Sequence, residues 1–117
     1  MGKYFEFLLE RKERRDKFLN YIDYYLNLIK ERAKKILGEN TKIVLFGSYL
    51  TNNFGPNSDI DILIVTEKPI DQREKSKILI EILEGFDVYH PFEIHFAGSS
   101  EFESWYKKFL KDNYREP

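Results

Sequence analysis

The chain has 117 residues, which is enough for one domain with a hydrophobic core and too short for two ordinary domains. Its formal net charge of −1 provides no global positive field, so we expect no general binding of nucleic acid. The chain has no cysteine, which excludes disulfides and thiolate chemistry. It has no run of about 18 apolar residues and no signal-peptide pattern, so we expect a cytoplasmic protein without a membrane span.

The first 38 residues are predicted to form an N-terminal helical segment. Apolar residues recur with helical spacing from Phe18 to Leu37, and Gly38 is a natural end for that helix. The sequence YFEFLL (residues 4–9) is separated from this helix by the charged run ERKERRDK. Two alternatives remain open here, one long helix with a solvated middle or a short helix followed by a turn. Some of the aromatic faces of this segment are expected to meet a partner: Tyr21, Tyr24 and Tyr25.

Two strand-like runs follow the helical segment. KIVLF (residues 42–46) and DIDILIV (residues 59–65) are rich in the branched apolar residues that favour buried strands. Between them, TNNFGPNS (residues 51–58) has the Asn, Gly, Pro and Ser content of a loop. We therefore predict two strands joined by a loop.

The last third of the sequence predicts two helices and a third strand. DQRE (residues 71–74) is a capping box for a helix that extends to about Leu83. FEIHFA (residues 92–97) alternates apolar and polar side chains, as a half-buried strand does. SEFE (residues 100–103) is a second capping box, which opens a C-terminal helix over residues 100–113. The final DNYREP is expected to fray.

This order of elements predicts an α/β fold of the α+β kind, in which helices flank a small mixed β-sheet. We interpret residues 1–117 as a single domain. Within it, residues 1–38 form the helical segment, residues 42–97 form the catalytic core and residues 100–113 form the C-terminal helix.

Two carboxylates interrupt the second strand-like run. Side chains two positions apart in a strand share a face and lie roughly 7 Å apart, so Asp59 and Asp61 are predicted to form one pair. The residues between and after them face the core: Ile60, Ile62 and Ile64. No Lys or Arg alternates with the aspartates, and a divalent cation such as Mg²⁺ would balance their charge. Glu93 has the parity to supply a third carboxylate from a neighbouring strand, and His95 shares its face.

The pair Gly47-Ser48 follows the first strand and could open a helix. The backbone N–H groups at the start of a helix are unsatisfied and bind phosphate. Gly47 permits a sharp turn and a close approach, and the Ser48 hydroxyl can donate a further hydrogen bond. A phosphate cradle beside a metal-binding carboxylate pair is suited to nucleotide chemistry.

The sequence GSYLTNNFGPNSDID (residues 47–61) resembles the signature of the nucleotidyltransferases of the DNA polymerase beta superfamily. That signature is Gly-Ser, ten intervening residues and Asp-x-Asp. The short chain resembles the minimal nucleotidyltransferases, many of which are paired with a helical HEPN-type protein in toxin–antitoxin systems. The resemblance implies a polymerase-beta-like nucleotidyltransferase fold.

The resemblance also implies a role for each matching residue. Gly47 and Ser48 would hold the phosphates of a nucleoside triphosphate substrate. Asp59 and Asp61 would hold two Mg²⁺ ions. Glu93 would complete the metal site and activate the acceptor hydroxyl.

These roles lead to a first hypothesis, the Mg²⁺-dependent transfer of AMP from ATP to a hydroxyl of a HEPN-type partner protein, with this chain as the antitoxin. The alternative is a weak or inactive module that acts by binding a partner. Thr51-Asn52 favours that alternative, because minimal nucleotidyltransferases often have Arg-Gly there. An antibiotic-modifying enzyme is less favoured, since such enzymes carry a further helical domain. The sequence leaves the nucleotide, the acceptor, homo-oligomerisation and any role of His95 undetermined.

Overall fold

A mixed four-stranded sheet with helices packed on it is seen in the computed structural model, which confirms the predicted α+β fold. The structure describes residues 2–51, 54–55, 58–111 and 113–117, and the backbone alone of Trp105. Among these residues, no helix is long and apolar enough to cross a membrane.

Two helices precede the sheet, α1 (Gly2–Asn20) and α2 (Ile22–Leu37). The structure differs from both sequence-based alternatives, because the charged run lies inside α1 and the break falls later, at Tyr21. Ion pairs one helical turn apart stabilise the charged run as helix. In one of them, the Nζ atom of Lys12 lies 2.6 Å from a carboxylate oxygen of Asp16.

The sheet contains β1 (Lys42–Phe46), β2 (Ile60–Thr66), β3 (Phe92–Gly98) and β4 (Tyr114–Arg115). Their order is β3-β2-β1-β4. β1 is antiparallel to both of its neighbours, whereas β2 and β3 are parallel. The strands predicted from residues 42–46, 59–65 and 92–97 are thus present, with shifts of about one residue at two of the three.

The expectation that the end of the chain frays is wrong for residues 114–115, which form β4. Tyr114 pairs with Phe46 of β1 and is half-buried. Its ring also meets that of Phe102, with 5.8 Å between the ring centres. This aromatic contact supplies the burial that a short edge strand needs, and the local sequence does not reveal it.

Helix α3 (Gln72–Ile82) lies between β2 and β3, and its predicted cap is present. The Asp71 carboxylate accepts a 2.9 Å hydrogen bond from the backbone N–H of Glu74. The helix ends near the predicted position, and Gly85 adopts a positive φ of 82° just beyond it.

The C-terminal helical stretch differs from its prediction at both ends. It consists of α4 (Ser99–Glu101), a π-helical turn (Phe102–Tyr106) and α5 (Lys107–Leu110). The predicted capping box over residues 100–103 is wrong, because the helix begins at Ser99 and no side chain caps it. Ser99 instead donates a 3.1 Å hydrogen bond to the carbonyl of Thr66. The helix ends at Leu110 instead of residue 113, and residue 112 is outside the described residues.

The two faces of the sheet are covered by different elements. Ile60, Ile62 and Ile64 of β2 face the larger core cluster, which α1, α2 and α3 complete. This face confirms the core residues predicted from the alternating pattern. Leu63 and Val65 face the opposite way, into a smaller cluster that contains Phe102. Asp61 has the parity of this second face, where the smaller cluster leaves one end of the strands open to solvent.

Candidate functional site

Asp61 and Glu93 are brought side by side by the pairing of β2 with β3. In the parallel register, Asp61 is the direct partner of Glu93, and Leu63 is the partner of His95. His95 follows Glu93 by two residues and therefore shares its face. One ligand atom from each of Asp61, Glu93 and His95 lies within 4.8 Å of the other two. These three side chains, called here the strand site, are the structural core of the candidate centre.

The imidazole of His95 lies close to both carboxylates. Its Nε2 atom is 3.5 Å from Oδ1 of Asp61 and 3.7 Å from Oε1 of Glu93. This nitrogen is buried and makes no hydrogen bond within the described part of the chain. The ring packs against Phe46, with 5.5 Å between the ring centres, which holds Nε2 toward the carboxylates. Sequence reasoning placed His95 on the correct face but assigned it no role.

Gly47 makes room for the Asp61 carboxylate. Its φ is +82°, a left-handed conformation that favours glycine. A Cβ atom at this position would overlap Oδ2 of Asp61. The predicted helical start is present as a 3₁₀ turn (Gly47–Leu50), where the Ser48 carbonyl accepts a hydrogen bond from the backbone N–H of Thr51. Phosphate binding by Gly47 and Ser48 stays a prediction, and Asn52 of the predicted Thr51-Asn52 departure is outside the described residues.

Asp59 does not join the strand site. β2 begins one residue later than predicted, at Ile60, whose backbone N–H donates a 2.7 Å hydrogen bond to the carbonyl of Pro91. Asp59 immediately precedes β2, is exposed and lines a neighbouring cavity. Its role as a metal ligand stays a prediction.

A cavity of about 810 Å³ lies between α1, the loop before β2 and the turn over residues 87–90. This volume is in the range of small-molecule sites. The cavity, called here the helix cavity, has basic side chains that come from α1: Arg11, Lys12 and Arg15. Its aromatic lining includes Phe54, Tyr89 and His90, and its acidic lining consists of Asp16 and Asp59. Sequence reasoning treated the charged run as a solvated face and missed these residues. The helical stripe of Leu8, Arg11, Arg15 and Leu19 was the available signal.

Arg14 holds α1 against the turn over residues 87–90, which forms another wall of the helix cavity. Its Nε atom donates a 2.6 Å hydrogen bond to Asp87, and its guanidinium stacks 4.7 Å from the centre of the Tyr89 ring. The hydrogen bond from Arg14 holds the pKa of Asp87 below its ordinary value, and a bond from the Tyr89 backbone acts in the same direction. The same hydrogen bond raises the pKa of Arg14.

His90 lies at the inner wall of the helix cavity. Its Nδ1 atom accepts a 3.1 Å hydrogen bond from the backbone N–H of Phe92, and its ring stacks on Phe92 at 19°. Burial lowers the pKa of His90, although the negative charges of Asp59 and Asp87 act in the opposite direction. The neutral imidazole is therefore favoured, as its role as an acceptor requires.

The strand site fits a divalent cation on three observations. The buried Nε2 atom of His95 has no hydrogen bond within the described residues, and it lies 3.5 Å and 3.7 Å from the two carboxylates. Gly47 leaves the space that the Asp61 carboxylate occupies. Carboxylate and imidazole donors are common ligands for divalent ions. Asp61, Glu93 and His95 would hold such an ion.

Comparison with known proteins agrees with this geometry. The nucleotidyltransferase domain family matches residues 26–115. The chain is 30% identical over 96 residues to poly(A) polymerase PAPa of Candida albicans, an alignment that covers 73% of this chain and 17% of that protein. No solved structure matches the chain significantly. The family match spans the Gly-Ser turn and both strands of the strand site, so the chain belongs to the nucleotidyltransferase domain family.

Proposed function

We propose that the chain transfers a nucleoside monophosphate, AMP from ATP, to a hydroxyl group of a partner protein. The observation that carries this proposal is the register of β2 with β3, which places Asp61 directly beside Glu93 in a nucleotidyltransferase domain. A carboxylate pair at this position can hold divalent metal and leave an oxygen to accept a proton. Gly47 lies against the same carboxylate, and a glycine in this turn would let a phosphate approach the backbone closely.

In the proposed reaction, the acceptor hydroxyl oxygen attacks the α-phosphorus of ATP. One P–O bond forms, the bond between the α-phosphorus and the bridging oxygen breaks, and pyrophosphate leaves. Glu93 accepts the hydroxyl proton, for which its 53% exposed side chain is accessible. Divalent metal, when bound, supplies charge neutralisation at the phosphates. Two ions and phosphate contacts from Gly47 and Ser48 remain part of the proposal.

The helix cavity supports a site for the anionic substrate. Minimal nucleotidyltransferases often have an arginine after the Gly-Ser turn, and this chain has Thr51 at that point. Arg11 and Arg15 of α1 line the helix cavity. Asp59, which precedes β2, lines the same cavity. We propose that the two arginines replace the missing arginine by contacting phosphates. Guanidinium groups suit this role because they form paired hydrogen bonds to phosphate oxygens.

The outer half of α1 supports a protein acceptor. It exposes five large apolar side chains: Tyr4, Phe5, Phe7, Leu8 and Leu9. Leu8 also lines the helix cavity, so this apolar surface continues into the proposed substrate site. A helical HEPN-type toxin, with tyrosine as the acceptor and this chain as the antitoxin, is the partner that the family resemblance suggests.

Two other candidates have specific support. The matched relative is called a poly(A) polymerase, and the basic side chains of the helix cavity could hold an RNA 3′ end, although the net charge of −1 weighs against it. Contact-only inhibition of a partner is supported by Thr51, which offers no positive charge to the triphosphate.

The test uses ATP labelled at the α-phosphate, Mg²⁺ or Mn²⁺, the protein encoded by the adjacent reading frame and a short oligoadenylate RNA in one mixture. We expect label on a tyrosine of the protein. The substitution Glu93→Gln should lower labelling by about 10²–10⁴-fold with little change in ATP binding, because a base acts in the transition state. Glu81→Gln, an exposed change of equal charge on α3, is the matched control.

Each outcome of this assay decides between the candidates. Label on the RNA alone would replace the protein acceptor with an RNA acceptor. A partner that binds tightly and gains no label would favour the contact-only module. Equal labelling by wild type and Glu93→Gln would remove Glu93 from the reaction.

A further inference from the structure

We propose that His95 is a metal ligand and that it makes the strand site prefer Mn²⁺ over Mg²⁺. The inference deepens the proposed function, on which it rests for the presence of a divalent ion. Its donor set is two carboxylates and one imidazole, Asp61, Glu93 and His95, in place of the three carboxylates expected from the sequence.

The two distances from His95 to the carboxylates match those between ligands of one ion. Ligand atoms about 2.0–2.2 Å from one metal ion lie about 3–4 Å from each other. The Nε2 atom of His95 is 3.5 Å from Asp61 and 3.7 Å from Glu93, within that range. Charge-assisted hydrogen bonds are shorter, about 2.7–2.9 Å. The imidazole is therefore placed better for sharing an ion with the carboxylates than for bonding to either one.

The His95 ring is held for this role. Phe46 packs against it, and Nε2 is buried although 39% of the side chain is exposed. The exposed part of the ring and the 53% exposed Glu93 leave a path for an ion to enter. Buried polar atoms usually have a hydrogen-bond partner, and Nε2 of His95 has none among the described residues.

The chemistry of the donors sets the preference for Mn²⁺. Mg²⁺ is small, retains its water and selects oxygen ligands. Mn²⁺ shares the affinity of Mg²⁺ for carboxylate oxygens and, as a transition-metal ion, accepts an imidazole nitrogen more readily than Mg²⁺ does.

The chain contains two histidines, which allows a direct test by pulsed electron paramagnetic resonance. Mn²⁺ bound to the wild-type protein, without nucleotide, should show coupling to a coordinated ¹⁴N nucleus. His95→Gln should abolish that coupling, and the matched control His90→Gln should retain it, since Nδ1 of His90 is engaged by the Phe92 backbone.

Metal titrations give a second readout. His95→Gln should weaken Mn²⁺ binding by at least about tenfold and Mg²⁺ binding by much less. His95→Glu, which substitutes an oxygen donor, should lose the ¹⁴N coupling, retain Mn²⁺ binding and shift the preference toward Mg²⁺. This variant keeps the test decisive if His95→Gln unfolds.

The proposal is overturned if wild type shows no ¹⁴N coupling, or if the ratio of Mg²⁺ to Mn²⁺ dissociation constants is the same in all variants. Because no nucleotide or acceptor is present, these results are independent of the transfer assay. Specific Mn²⁺ coupling without any transfer would reject the proposed function alone.

Discussion

The strand site and the helix cavity share no side chain among the described residues and are built in different ways. The strand site takes all three side chains from two neighbouring strands, and backbone pairing aligns Asp61 with Glu93. The helix cavity combines segments that are far apart in sequence: α1, the loop around Phe54 and the turn at residues 87–90. One is positioned by strand register, and the other by the docking of a helix.

This difference implies different sensitivities to substitution. The strand site rests on strands whose neighbours are fully buried, including Ile60 and Ile62. The helix cavity depends on Arg14 and on ring contacts such as that of Phe7 with Tyr89, at 6.3 Å between ring centres. Partly exposed ion pairs of this kind contribute little each. We therefore expect changes in α1 to alter the helix cavity and leave the strand site intact.

The largest effect is expected from Gly47→Ala. Gly47 and Gly85 both have φ near +82°, so alanine should cost about 1–2 kcal/mol of unfolding free energy at either position. At Gly47 the new Cβ also overlaps the Asp61 carboxylate, whereas at Gly85 it meets no atom within 4 Å. Mn²⁺ bound at the strand site should raise the Tm of the wild-type protein. Gly47→Ala should destabilise more than Gly85→Ala does and should abolish that rise. Urea unfolding and thermal shift measure both effects. If Gly47→Ala and Gly85→Ala lose the same unfolding free energy and respond alike to Mn²⁺, the close approach of Gly47 to the Asp61 carboxylate is contradicted.

The next effect concerns the charge of the helix cavity. The double variant Arg11→Gln/Arg15→Gln should weaken ATP binding in chelator by about tenfold or more, because hydrogen bonds to charged groups contribute about 1.5–3 kcal/mol. Arg73→Gln/Lys77→Gln removes two exposed charges with the same spacing on α3 and serves as the control. Calorimetry at several salt concentrations measures the change. If both double variants weaken ATP binding alike, the arginines act only through net charge. Neither double variant should change Mn²⁺ binding.

A smaller effect is expected when α1 is released from the 87–90 turn. Asp87→Asn weakens the bond from Arg14 and should speed hydrogen exchange in α1 without changing Mn²⁺ binding. The pKa of Asp87 is lowered in the folded state. Its stabilising contribution is thus present above the ordinary value of 3.8 and is lost as pH falls through the folded value.

The control for this release is Lys12→Gln, which removes an exposed ion pair within α1 and should leave exchange nearly unchanged. Equal exchange in wild type and Asp87→Asn would show that the aromatic contacts alone hold the helix.

The smallest effect is the pH dependence from His90. Burial lowers its folded pKa, so the stability associated with neutral His90 is present above 6.5 and is lost as pH falls toward the folded value. The unfolding free energy should therefore be lower at about pH 5.5 than at about pH 7.5, and this difference should be smaller in His90→Gln. An identical fall in both proteins would assign the pH dependence to other groups.

Much of the strand site could be predicted from the sequence, because alternation in a strand is local. The Gly-Ser turn, Asp61 and Glu93 all follow from patterns within short segments. Asp59 immediately precedes β2, and the exact start of a strand depends on pairing with its neighbours more than on the local pattern, so its role as a metal ligand stays a prediction. β4 escaped prediction for a similar reason, since two residues carry too little pattern to indicate a strand without the ring contact of Tyr114 with Phe102.

The sequence by itself determined the faces of the central strands, because side-chain direction alternates with a period of two residues. It thereby placed Ile60, Ile62 and Ile64 in the core and Asp61 on the opposite face. Only the tertiary structure decided that Asp61 lies beside Glu93 with His95 close to both carboxylates, and that arginines of α1 line a cavity. Register and helix docking are set by contacts between distant segments, and the packing of the whole core selects them.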